Sequence, residues 1–148
     1  MKKRIMAILA YVLPTFPLGF FWHLTVFADY YKSLDVYRED ILIPLGIASM
    51  LIQGFIWSVI YERLFSGESI FRGAVKFAAL ACPLAWSFLV IAVAAKHHMS
   101  SVSGYVQIET SFILIHYAIV SPLIAAVYHQ KADSGDILRR SSIHAKEA

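Results

Sequence analysis

Ile41–Tyr61 reads ILIPLGIASMLIQGFIWSVIY, 21 residues without a charged side chain. A helix rises about 1.5 Å per residue, so a run of this length crosses the roughly 30 Å hydrocarbon core of a bilayer. The run is apolar on every face rather than along one stripe, as in a helix surrounded by lipid or by other apolar helices. A membrane strand would need regular alternation of apolar and polar residues, which the run lacks.

Three further runs share this character: Ile5–Phe27, Ala74–Ala95 and Gln107–Tyr128, of 22 or 23 residues each. Lys76 and Glu109 are the only Asp, Glu, Lys or Arg residues within the four runs. Each lies in the first turn of its run, within reach of an interface. Over all 148 residues, 59% are hydrophobic and 16% charged, and the mean hydropathy is +0.64. A soluble domain is about 25% charged, and a disordered chain is poor in hydrophobic residues. The expected fold is all-α: an integral membrane four-helix up-down bundle. One domain, residues 1–128, has spans at about 5–27, 41–61, 74–95 and 107–128. A polar cytoplasmic tail, 129–148, follows. Around Ile137, Leu138 and Ile143 the tail is expected to form a short amphipathic helix or to stay irregular.

Orientation follows from Lys and Arg. With the N-terminus in the cytoplasm, ten basic residues fall inside: Lys2, Lys3, Arg4, Arg63, Arg72, Lys76, Lys131, Arg139, Arg140 and Lys146. Three fall outside: Lys32, Arg38 and Lys96. The positive-inside rule therefore predicts both termini in the cytoplasm. The start Met1-Lys2-Lys3-Arg4 resembles that of a signal peptide, but the 23-residue run behind it exceeds the usual h-region of about 7–15 residues. It is expected to stay as the first span. The net charge of +3 reflects basic residues at helix ends, so no nucleic-acid partner is expected. The bilayer is the expected partner. A thin bundle of this length also predicts a homo-oligomer or a membrane-protein partner, with the second or third span, rich in small residues, as the contact face. Pro83 and Pro122 are the expected kinks.

Chemistry-bearing residues concentrate in the outer half. His23, His97, His98 and His116 lie there, with Glu109 at the start of the last span. Glu109 and His116 are seven residues apart, on one helix face about 10 Å from each other along the axis. Imidazole and carboxylate suit zinc, iron or copper, and two deep histidines, His23 and His116, are the pair a haem would need. The plainer reading of His116 is a neutral imidazole bonding a neighbouring helix, at Gln53 or Ser87. The single cysteine, Cys82, excludes an internal disulfide and any zinc site built on two cysteines. No GxSxG, Walker A, GxGxxG or CxxC motif occurs. The first outer loop, Ala28–Asp40, reads ADYYKSLDVYRED and offers Asp29, Tyr30, Arg38, Glu39 and Asp40 for an interaction.

The segments GFFWHLTVFADYYKSLDVYRED, IPLGIASMLIQG and AAKHHMSSVSGYVQIETSF resemble small, uncharacterised bacterial proteins with four helices, catalogued as domains of unknown function. The resemblance implies a multi-pass protein of the cell inner membrane and supplies no activity. The expected function is non-enzymatic binding of a partner or small ligand at the outer face, with no cofactor. The alternatives are a metal- or haem-binding protein using the His/Glu cluster and a small oligomeric transporter. Metal content and an optical spectrum of the purified protein separate the second reading from the others. A metal site predicts near-stoichiometric metal that is lost on His116→Ala or on joint replacement of His97 and His98 by Ala.

Overall fold

The computed structural model describes residues 1–38 and 40–129; Glu39 and the tail from residue 130 onward, including its expected amphipathic helix, lie outside the described residues. Among the described residues the chain is all-helical, without a strand. Four helices are long and apolar enough to cross a membrane: α1 (Lys2–Val26), α3 (Ile43–Leu64), α4 (Ile70–Ala94) and α5 (Val102–Tyr128). A short helix, α2 (Ala28–Leu34), follows α1.

α4 and α5 begin ahead of their apolar stretches because capping side chains, not hydropathy, open them. Ser69 opens α4 by accepting the Arg72 N–H, and Ser101 opens α5 by accepting the Gly104 N–H at 3.2 Å. Each satisfies one of the backbone donors left free in a first helical turn. Part of the expected first outer loop is helical as well. In α2, Tyr31 and Leu34 share a face and are buried, while Asp29 and Tyr30 point outward. The helix stops at Asp35, in the left-handed region at φ 56°, which Asp tolerates better than most residues.

Wide π-type turns occur at Trp22–Val26 and at Ser87–Ile91. Each follows a proline within the same helix, Pro17 and Pro83 respectively. Pro122, by contrast, sits inside an unbroken α5. A proline lacks the N–H that would hold the preceding turn, and a π-turn is one way for the helix to absorb the defect. Such turns free carbonyls. The Tyr105 hydroxyl donates to the Leu89 carbonyl at 2.9 Å within the second of them.

α5 is the axis of the bundle. It packs against α1 on one side and α4 on the other. It is also the most enclosed span: 39% of its apolar window is buried, against 17% in each of the other three. α3 packs mainly on α1, where Gly54 permits close approach. A Cβ on Gly54 would stand 3.3 Å from the Tyr11 ring and 3.5 Å from the Ile8 Cα. Partners along the two helices run in opposite order, Arg4 with Glu62 and Tyr11 with Gln53. At the end of the bundle holding Arg4 and Tyr128, here the proximal end, aromatic rings tie α3 to α4 and α5. Trp57 meets Phe77 at 5.6 Å, and Tyr61 stacks on Tyr128 at 5.3 Å. Gly73 leaves room for the Tyr61 hydroxyl. Beyond Gly54 this contact ends: residues 43–49 of α3 are all exposed. α3 is therefore pinned proximally and splayed distally.

The small residues expected to form an oligomer face are partly used within the chain: Gly54, Ser58, Ala74 and Ala81 are all buried. Gly54→Leu should drive α1 and α3 apart. Overpacking of this kind costs about 1–3 kcal/mol, read as a lower melting temperature of the purified protein, whereas Gly46→Leu, whose Cβ would meet nothing within 4 Å, should not lower it.

Candidate functional site

At the distal end, α1, α2 and α5 converge on Glu109. Its carboxylate is buried and accepts the Tyr31 hydroxyl at 2.8 Å. The same oxygen lies 3.2 Å from His23 Nε2. His23 Nδ1 lies 2.9 Å from the Gly19 carbonyl. A carbonyl only accepts, so Nδ1 carries a proton. Nε2 is then the ring nitrogen that faces the Glu109 carboxylate. The Tyr31 phenol is held above its ordinary range, first by burial and then by the Glu109 charge, so it stays a donor. Tyr37 stacks on Tyr31 at 4.9 Å and closes the cluster from the α2–α3 connection.

A second polar pair lies deeper. His116 Nε2 is 2.8 Å from the Thr15 hydroxyl, and both side chains are buried. Thr15 donates its own proton to the Tyr11 carbonyl at 2.5 Å. The hydroxyl oxygen is therefore the acceptor toward His116, whose Nε2 carries the proton. Phe112 separates the two pairs. Its ring is 4.5 Å from His23 and lies parallel to His116 at 5.8 Å. The expectation that His116 would bond Gln53 or Ser87 is corrected: Gln53 accepts the Tyr11 hydroxyl at 2.5 Å, and Ser87 donates to its own helix at Leu84.

The structure thus brings His23 and Glu109 together and sets His116 two turns below them. His97 and His98 are not part of this arrangement. They follow α4, are exposed, and make no side-chain hydrogen bond among those described. No group of three or more His, Cys, Asp or Glu side chains among the described residues is placed to hold a metal ion. Asp29, Tyr30 and Asp40 are exposed, and Glu39 lies outside the described residues. Arg38 lines two cavities that adjoin the cluster.

The first cavity, about 400 Å³, lies between α1 and the splayed half of α3. Its wall includes Thr15, Phe16, Gly19 and Phe20 from α1 and Gly46 and Met50 from α3. Cβ atoms built on Gly19 and Gly46 would meet nothing within 4 Å. His23 and Arg38 stand at the mouth. Tyr31, Thr15, Tyr11 and Gln53 were not singled out from sequence as site residues. The one sequence cue to Thr15 was its place in an otherwise apolar span, eight residues, or about 12 Å, from His23.

No protein-family model, curated protein or solved structure matches the chain.

In a Thr15→Val, His116→Phe double-mutant cycle the coupling should be about 0.6 kcal/mol and at most about 1.7 kcal/mol, the average and the maximum for hydrogen bonds between helices of this kind. Reversible unfolding in mixed micelles measures it. A coupling near zero would mean that the His116–Thr15 bond contributes no stability.

Proposed function

We propose that the chain is a multi-pass membrane protein with its four long helices in alternating direction and residues 2 and 128 on the cytoplasmic side. It binds a small ligand at its outer face and acts as a binding protein rather than an enzyme. Several observations support the membrane setting. The long helices carry large apolar side chains on their outer surfaces, among them Leu13, Leu45, Phe71 and Phe88, each at least 65% exposed. Water-soluble monomers rarely expose contiguous apolar patches beyond a few hundred Å². The ten-to-three division of Lys and Arg supports the orientation, and the opposed order of the Arg4–Glu62 and Tyr11–Gln53 contacts supports the alternating direction of α1 and α3.

The observation that carries the binding reading is the gap between α1 and α3. Ligand sites are concave, about 300–1,000 Å³, mostly apolar, with a few convergent polar groups. A cavity of about 400 Å³ whose polar members include Thr15, His23 and Arg38 has those properties. Two glycines facing its interior keep it open.

Filling the gap tests the reading. Gly19→Leu with Gly46→Leu replaces two helical glycines, and helix propensity favours each change by about 0.5–1 kcal/mol. The double variant should therefore fold at least as stably as the parent. Native mass spectrometry should show a small molecule co-purifying with the parent and missing from the variant. Identical spectra, or no bound small molecule in the parent, would remove the cavity as the binding site.

A further inference from the structure

Two adjoining cavities at the distal end differ in chemistry and share a wall. The one between α1 and α3 is lined largely by apolar side chains and two glycines. The other, about 480 Å³, lies against α2 and the connection that follows it, and it is lined by Lys32, Asp35 and Arg38 among others. His23, Leu24, Tyr37, Arg38 and Ile41 border both. A single ligand spanning the two would be apolar at one end and polar at the other.

Charge selects the polar end. Lys32 and Arg38 are cationic and Asp35 is anionic, and none of the three forms an ion pair among the described residues. Asp29 and Asp40 are exposed and line neither cavity. Glu109, which His23 and Tyr31 contact, lines neither cavity. Tyr31 is kept protonated by burial and by Glu109. Among the described residues lining the second cavity, cationic side chains therefore outnumber anionic ones, Lys32 and Arg38 against Asp35. An Arg side chain presents a fork of N–H donors that fits carboxylate and phosphate oxygens, and such charge-assisted bonds are about twice as strong as neutral ones.

We propose that the paired cavities hold a single-chain amphiphile with an anionic head. Its tail lies between α1 and α3, and its head meets Lys32 and Arg38 beside His23. This inference rests on the reading of the α1–α3 gap as a ligand site. The tail compartment suits a flexible chain. Gly19 and Gly46 let it approach both backbones, and Met50 is an adaptable apolar neighbour. From Thr15 to His23 the compartment runs along about 12 Å of helix axis. The head compartment adjoins it at His23, Leu24, Tyr37, Arg38 and Ile41, so one molecule reaching past these side chains satisfies both without leaving a charge in the apolar gap.

The test uses the full chain in phosphatidylcholine nanodiscs and three photoreactive probes with one dodecyl tail. Their heads are phosphate, phosphocholine and trimethylammonium. After illumination, labelled peptides are mapped by mass spectrometry. Dodecyl phosphate should label residues 15–24 and 41–50 at concentrations about tenfold below those of the other two, the ratio expected of about 1.4 kcal/mol in favour of the anion. Lys32→Gln with Arg38→Gln should erase that preference while the tail still labels the same peptides. Gly19→Leu with Gly46→Leu should abolish labelling there by every probe. Equal labelling by all three heads in the parent would overturn the anionic class and leave the cavity reading standing. Displacement of dodecyl phosphate by equimolar inorganic phosphate would show that the tail is not recognised, and would overturn the amphiphile. Absence of labelling between α1 and α3 by any probe would sink both readings together.

Discussion

Two imidazoles and a carboxylate lie in the interior of an otherwise apolar bundle, and each has to find a hydrogen-bonding partner across a helix interface. An unpartnered polar group in such surroundings costs several kcal/mol. Glu109 and His116 stand on one face of α5, seven residues apart, and their partners come from α1: His23 and Thr15. These two contacts set the rotation and the height of α1 against α5. The positions of α2 and α3 follow from that placement. Tyr31 brings α2 down onto Glu109, and Tyr11, one turn from Thr15, reaches Gln53 of α3.

The same constraint explains why the bundle is uneven. At the proximal end large rings from α3, α4 and α5 interlock, with Tyr61 against Tyr128 and Trp57 against Phe77. At the distal end α3 has no comparable ring, and the side of α1 that faces it carries Gly19. Close packing needs side chains on both sides, and each helix has a glycine at this gap, Gly19 on α1 and Gly46 on α3. An opening between two helices results. The wide turn at Trp22–Val26 lies beside its mouth and carries His23, whose Nδ1 bonds the Gly19 carbonyl. Irregular backbone and a buried ionisable pair thus meet where the cavity is widest in chemical character. Functional positions in helical proteins often show this coincidence.

Much of the architecture could be read in advance because helices apolar on every face appear in the sequence as long apolar runs. The four long apolar helices were legible from run length alone, and two of them begin earlier than their apolar runs because Ser69 and Ser101 cap beyond the apolar limits. The Ala28–Asp40 segment was read as a loop because it is polar. Its helical half is stabilised by burial of Tyr31 and Leu34 against the bundle, and a seven-residue helix has little propensity of its own to announce. His23, Glu109 and His116 stood out as ionisable groups in apolar surroundings. Grouping His97 and His98 with them failed, because a shared leaflet does not make side chains neighbours. Those two face outward after α4.

Composition and periodicity by themselves determined that the chain is helical, that it has four long apolar segments, and where its ionisable side chains fall along them. These follow from local chemistry: hydropathy, proline and capping residues act within a turn or two. Which helix is central, which pairs of polar groups meet, and that α3 is tied at one end and open at the other were decided by tertiary structure. Those outcomes depend on the rotation of each helix about its axis. A helix that is apolar all round carries no stripe to set its rotation; only the partners of a few buried polar groups and the room left by glycines do.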